Sequence, residues 1–482
     1  MVKSNSRISL PVKRRLVILV VSSLVSCIFF SSPFFAIPSP TDGPDLEIEV
    51  PLPEPEIIST VTVTVHAPAE ARSTDLVTDL DSGLLFSRIT TPYFRDNLQP
   101  SIKYITSGSA KDWHNQVIAF TNLLYLSLIT ERVPIIPPFS YHEAQHTSDL
   151  DFGDVFDMKR LKKELEIPIL EWYQVKNTKG TSSEILGCWR TSSVRNDSLP
   201  NSFPPSLKLD VSFTTAPDFA EIHADTGENF TTFWSLASLA FPDAFTTIST
   251  VEDAEQSPRH QVKLPPDHQS LLCFDDLSHV SVLNPSEFSL DISPAWRFVG
   301  QHMHWNPRIQ HIADIYARKT FGIDTADPIP PYITVHAQHT NAESWCEVPI
   351  EDCFAPLSAY AQRVEEVKAE IRSTMGISVE RVLVISDKTG KYWWEAVRKR
   401  GWVRIDHSGT IRRYGAWYPT LIDAVIESQG IAYVSTAQPM GSVLGGKRVS
   451  SWQGGIVKTV PWETRKTRVA PPIPPLKLLD IP

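Results

Sequence analysis

The sequence has no excess of positive charge. Its 482 residues carry 45 basic side chains against 55 acidic ones, a formal net charge of −10, which argues against a dedicated nucleic-acid binder with a basic face. The low hydrophobicity of a disordered chain is also missing. Hydrophobic residues make up 42% and aromatic ones 10%, enough for the cores of two or three domains. Cysteine is scarce, with five in all. No pair has C-x-x-C spacing and none stands beside a histidine at zinc-ligand spacing, so a zinc site is not expected. No internal repeat is visible. No second uncharged run approaches the length of the one near the N-terminus, which excludes a multi-span transporter. Proline alone is in excess, at 39 residues, and marks linkers and loops.

That single run sets the compartment. Residues 1–15 carry Lys3, Arg7, Lys13, Arg14 and Arg15 and no acid, and residues 16–37 then carry no charge. About 20 apolar residues cross a bilayer, and the one-sided basic flank places the tail in the cytosol and the rest in a lumen. The expectation is a single-pass type II membrane protein of the Golgi or endoplasmic reticulum. The alternative is a cleaved signal peptide and a secreted protein, since 31–36 is rich in small residues. Residues 38–68 hold seven prolines and, up to Val65, six acids without a base. Such a segment reads as an extended, self-repelling stem. Anchor, stem and globular head together are the layout of resident secretory-pathway enzymes.

Cys27 falls inside the run, leaving Cys188, Cys273, Cys346 and Cys353. An even number in an oxidising lumen suggests disulfides, with three connectivities open. The short loop between Cys346 and Cys353 favours that pair and, by elimination, Cys188 with Cys273; buried free thiols are the alternative. Asn196 and Asn229 head two N-glycosylation sequons.

The head reads as α/β. Strands are expected at 332–335, 382–385, 402–405, 431–434 and 456–460. Helices are expected at 357–375, 392–400 and 421–429, each followed by a glycine. Continuous apolar strands alternating with helices predict a doubly wound parallel sheet, whose ligands sit at the carboxyl ends of strands. In the first half, 101–106 and 133–136 read as strands and 116–130 as a helix, while 195–270 reads as long loops and peripheral pieces.

Three motifs fall where such a sheet would place a ligand. Trp113-His114-Asn115-Gln116 opens a helix, whose free N–H groups suit a phosphate, although an ordinary cap explains it too. Val335-His336-Ala337-Gln338-His339 leaves one strand, and Val434-Ser435-Thr436-Ala437 runs through Gly441-Ser442 from another. Structural histidines and simple caps are the alternatives there.

These residues resemble the protein O-fucosyltransferase-like glycosyltransferases, especially fungal members, over roughly residues 100–465. Asn115 matches the family's Gly-x-Asn-Gln loop. His336-Ala337-Gln338-His339-Thr340-Asn341 stands where the family has His-x-Arg-Arg-Gly-Asp. Trp345-Cys346, Cys353-Phe354, Ser386-Asp387, Trp393-Trp394, Gly401-Trp402, Tyr414-Gly415 and Leu421-Ile422-Asp423-Ala424 continue the match. So do Thr436, Ser442, Arg448-Val449 and Trp452.

The resemblance implies two Rossmann-like doubly wound domains (GT-B-like) behind the anchor. A stem and linker would occupy 38–98, an N-terminal domain with long loops 99–305, and a nucleotide-sugar-binding domain 306–482. It implies inverting, metal-independent transfer of fucose from GDP-fucose to a protein or glycan hydroxyl. His114, Asn115, His336, Asp387, Thr436 and Ser442 would bind the donor, and Gln338 and His339 would stand at the catalytic positions. No cofactor is implied beyond the donor substrate.

The departure lies in the charge. A positioned arginine that stabilises the departing diphosphate is worth about 100- to 1,000-fold in rate, and Gln338 brings none. Lys388, Arg412, Arg413 and Arg448 are the cations near these motifs. The alternative is a lapsed relative that binds nucleotide, glycan or a partner without transfer. A hydrolase built on Glu395 and Asp423 is a third reading, ranked last because both fall on expected helices away from strand ends. The pairs Asp79/Asp81 and Asp151/Asp154 are read as solvated acids and not as metal ligands.

Overall fold

In the computed structural model, the described residues lie between 85 and 460; the longest internal stretches outside them are 141–148, 192–202, 242–252 and 340–353. Residues Ser73–Pro482 belong to one compact unit. The expected anchor at 16–37, the stem and Asp79/Asp81 lie outside the described residues. Among those described, no helix is long and apolar enough to cross a membrane.

The fold is mostly parallel α/β. A first sheet contains β1 (Tyr104–Ser107), β2 (Val133–Ile136), β3 (Leu170–Glu171), β4 (Glu184–Arg190), β5 (Leu209–Thr215) and β8 (Leu271–Phe274), ordered β3-β2-β1-β8-β4-β5. Every pairing in it is parallel. A small separate sheet joins β6 (Glu221–His223), β7 (Asn229–Thr232) and β9 (Val280–Ser281). The second large sheet is the expected parallel one: β10 (Tyr332–His336), β11 (Arg381–Ile385), β12 (Ala432–Thr436) and β13 (Ile456–Val460), ordered β11-β10-β12-β13.

Seven helices of eight or more residues frame these sheets among the described residues. They are α1 (Trp113–Thr130), α2 (Met158–Leu165), α3 (Pro307–Phe321), α4 (Leu357–Met375), α5 (Lys391–Lys399), α6 (Tyr418–Ser428) and α7 (Met440–Gln453). Alternation along the strands sorts the packing of the second sheet. Ile333, Val335, Val382 and Val384 face Val364, Val367 and Ile371 of α4 and Val397 of α5. Tyr332 and Leu383 turn to the opposite face, whose core holds Ile312 and Tyr316 of α3 and Leu421, Ile422 and Val425 of α6. Helices on both faces make this sheet doubly wound. The same core continues through α1, which buries Val117, Phe120, Leu123 and Leu124, into Ile105, Ile136, Leu272 and Phe274 of the first sheet. A helix apolar nearly all round is one buried nearly all round.

Two expectations need correction. Residues 195–270 are not only loops, because β5 pairs with β4 over seven residues. Its polar alternation, Leu-Asp-Val-Ser-Phe-Thr-Thr, hid an edge strand that packs Leu209 and Val211 into the core on one side and buries the polar Asp210, Ser212 and Thr214 on the other. The stretch 402–405 is no strand of the sheet. Val403 alone bridges Leu383, and the chain then leaves the edge to place His407. A smaller difference concerns Gly430, expected as a helix stop. A Cβ there would lie 2.8 Å from Oγ1 of Thr334, so glycine is required by close approach to β10.

Candidate active site

The strands β10, β11 and β12 end side by side, with His336 level with Ile385 on one neighbour and Ser435 on the other. The chain moves from β10 to β11 on one side and later returns to β12 on the other. The crevice between the ends of β10 and β12 is therefore where strand order reverses, the place where doubly wound sheets take ligands. Three expected donor residues meet around it: His336 at the end of β10, Asp387 just past β11 and Thr436 at the end of β12.

His336 is held by a partner that sequence reading missed. Its Nδ1 lies 2.5 Å from Oε1 of Glu427 on α6, and the hydroxyl of Tyr433 donates to the same oxygen at 2.8 Å. Burial works against the imidazolium, but Glu427, its hydrogen bond and the charges of Asp387 and Asp423 outweigh burial and raise the His336 pKa. Glu427 lies one turn beyond Asp423, on the same face of an otherwise apolar helix. Acids at i and i+4 in such a helix were the available signal.

Arg448 of α7, only 2% exposed, lies with Cζ 4.3 Å from the Trp305 ring and 5.8 Å from that of Trp452. Burial lowers its pKa to about 10, opposed by Glu427 and Tyr433, so it stays a cation at neutral pH. Of the other cations named above, Lys388 sits 5.9 Å from the Phe354 ring, and Arg412 and Arg413 are exposed.

Beyond β10, Ala337 is buried and Gln338 is partly exposed. The backbone N–H of His339 donates to Oδ1 of Asp387 at 2.6 Å. Its Nδ1 lies 3.0 Å from the carbonyl oxygen of Ala337 and 3.2 Å from Oγ of Ser386. The ring is boxed by Phe354 at 4.9 Å and Trp393 at 5.3 Å. Tyr360 of α4 reaches the same corner. It is hydrogen-bonded to Thr436, and burial together with Asp387 pushes its hydroxyl up to about 12.

The N-terminus of α1 is capped from within. Oδ1 of Asp112 accepts the N–H groups of His114 at 2.9 Å and Asn115 at 3.2 Å, and Oδ2 accepts the Asn115 amide at 2.8 Å. Despite burial, the His114 side chain, 3.7 Å from Oδ1, and the two Asn115 bonds hold the Asp112 carboxyl far below its ordinary range. Trp113 packs 6.2 Å from Trp417, just ahead of α6, so this end of α1 borders the second sheet.

A second polar cluster lies along α6. His407 Nε2 is 2.8 Å from Oδ1 of Asp423 and its Nδ1 3.1 Å from Oγ1 of Thr410, which is 2.8 Å from the Tyr316 hydroxyl. Asp423 is raised by burial, against the His407 bond. Glu395 instead sits 4.0 Å from Arg398 on α5. With α5 and α6 on opposite faces of the sheet, Glu395 and Asp423 are not assembled into a carboxylate pair.

Ser442 lies in the first turn of α7 and Asn229 opens β7; their side chains, like Asn196, Cys346 and Cys353, lie outside the described residues. Cys188 and Cys273 form a disulfide between β4 and β8. Among the described residues, no group of three or more His, Cys, Asp or Glu could hold a metal ion.

No protein-family model and no curated protein matches the chain. Solved structures with a similar chain path include POFUT1 in complex with GDP-fucose, at 14% identity and a TM-score of 0.46, covering 75% of this chain and 99% of that one. POFUT1 in complex with GDP is similar at 15% identity and 0.48, with the same coverages. The fucosyltransferase NodZ from Bradyrhizobium is similar at 10% identity and 0.34, covering 71% and 92%.

Proposed function

We propose that this chain is a luminal glycosyltransferase of the fucosyltransferase type. It takes fucose from GDP-fucose to a protein or glycan hydroxyl without a metal, from an anchor in the Golgi or endoplasmic reticulum. The observation that carries the reading is the meeting of His336, Asp387 and Thr436, each from a separate motif of the resemblance, at the reversal point of one parallel sheet. The acceptor hydroxyl oxygen bonds to the anomeric carbon and gives up its proton, the bond from that carbon to the diphosphate breaks so that GDP departs, and the configuration inverts. Negative charge grows on the departing phosphate, so donors fixed around it lower the barrier.

A second reading, a lapsed relative that binds nucleotide without transfer, is favoured by Gln338, which brings no charge, and by the boxed ring of His339. Calorimetry of the full chain with GDP, GDP-fucose and UDP tests the first reading. Guanine-nucleotide binding is expected to survive EDTA and to weaken in Asp387→Ala, whereas loss with EDTA or equal affinity for UDP overturns it. A transfer assay on the same samples separates the two readings. Gln338→Arg is expected to raise turnover about ten-fold or more, a conservative share of one missing donor. A variant that binds GDP yet stays inert favours the lapsed reading.

A further inference from the structure

The pair His336–Glu427 goes further than a donor contact. We propose that Glu427 is a positioning residue that fixes His336 as an imidazolium with Nε2 presented to the donor diphosphate, so that His336 carries the positive charge that Gln338 does not. This rests on the nucleotide-sugar reading above.

A carboxylate only accepts, so the short contact places a proton on Nδ1 of His336 and leaves Nε2 as the nitrogen for a ligand. Two donors on one oxygen, Nδ1 and the Tyr433 hydroxyl, hold the Glu427 side chain in one orientation. The His336 side chain is 12% exposed and that of Glu427 only 6%, so the pair is screened little by water. Helix α7 closes over it at Gly445, where a Cβ would stand 2.8 Å from Cδ of Glu427.

Ionisable groups reach His336 from every neighbouring element. Asp387 follows β11, Tyr433 lies on β12 with its ring 6.3 Å away, and Glu427 and Asp423 lie on α6. Arg448 lies on α7 and acts on Glu427. His407 pairs with Asp423 and His339 lies 3.7 Å from Asp387, yet Glu427, Asp387 and Asp423 together favour the charged imidazole, and its pKa is raised despite burial. A raised pKa keeps the cation present to higher pH than an ordinary imidazole and loses it as pH rises through the folded value. Donor affinity should fall with rising pH accordingly. His339 is poorly placed for this role, with Nδ1 turned to the Ala337 carbonyl and its ring between Phe354 and Trp393.

The experiment joins nitrogen-15 histidine NMR of the ligand-free full chain with GDP calorimetry between about pH 5.5 and 8.5, the range of a perturbed imidazole. The resonance lost in His336→Asn identifies the ring. The wild type should titrate above the ordinary value of about 6.5, with GDP affinity falling through the same midpoint. Glu427→Gln should drop the midpoint below about 6.5 and weaken GDP about ten-fold or more near pH 7.5, with little loss at the acid end. Glu427→Asp, which keeps the charge, should recover part of the shift. A wild-type midpoint at or below the ordinary value overturns the proposal without any variant. So does a Glu427→Gln loss that is equal at every pH. A His336 midpoint that follows Glu427 in a wild type that binds no GDP at any pH supports the pairing and overturns the nucleotide reading.

Discussion

Gly445 shows how one missing methyl group can shape the crevice. A Cβ there would lie 2.6 Å from the Tyr433 hydroxyl as well as 2.8 Å from Glu427. Both neighbours are tied to each other, so neither can give way cheaply. Gly445→Ala should therefore destabilise the protein by about 1–3 kcal/mol, the usual cost of overpacking. That outweighs the gain of about 1 kcal/mol that alanine brings to a helix interior. Urea unfolding measures the difference, and an alanine variant as stable as the wild type would show that α7 does not press on the pair. Nothing in the local pattern Leu-Gly-Gly-Lys foretold this, because the requirement comes from a tyrosine on β12 and a glutamate on α6. His339, by contrast, was legible as a motif residue, but its boxed ring was not.

Among elements, β4 has an unequal footing. It pairs with β5 along seven residues but with β8 only at Trp189 opposite Phe274. The Cys188–Cys273 disulfide fastens that weak side across 85 residues of sequence, and both cysteines are fully buried. Closing so long a loop restricts the unfolded chain strongly, and removing a native disulfide typically costs about 2–5 kcal/mol. The double variant Cys188→Ala/Cys273→Ala should lose stability in that range at unchanged fold, read from its urea midpoint. A loss below about 0.5 kcal/mol would mean that burial of the two strands already holds them without the bond. The pairing had been reached from the sequence by elimination alone; the adjacency of β4 and β8 supplies its physical reason.

At the scale of the molecule, one core runs from the first sheet to the second. Trp113 of α1 touches Trp417 ahead of α6, and Phe156 stacks on Trp305 at 5.3 Å, which in turn carries Arg448. Residues from both halves therefore fill a single apolar cluster, and neither sheet can lose its helices without exposing the other's. Unfolding should be cooperative: tryptophan fluorescence and far-ultraviolet circular dichroism should give coincident urea transitions for the full chain. Two separated transitions would show that the halves fold independently.

The sequence by itself determined the second sheet almost strand for strand. Three of its strands are buried on both faces and thus read as apolar runs between helices of clear period, as Tyr332–His336, Arg381–Ile385 and Ala432–Thr436 show beside Leu357–Met375. It also placed His336, Asp387 and Thr436 at the carboxyl ends of strands, because they directly follow such apolar runs. Only the tertiary structure decided what surrounds them. Glu427 stands 91 residues from His336 in sequence. The edge strand β5 was hidden by its polar alternation. The physical reason is common to the partner of His336 and to β5: local pattern records which face of an element is buried, whereas the charge on an imidazole and the pairing of a strand depend on groups brought near only when distant segments pack.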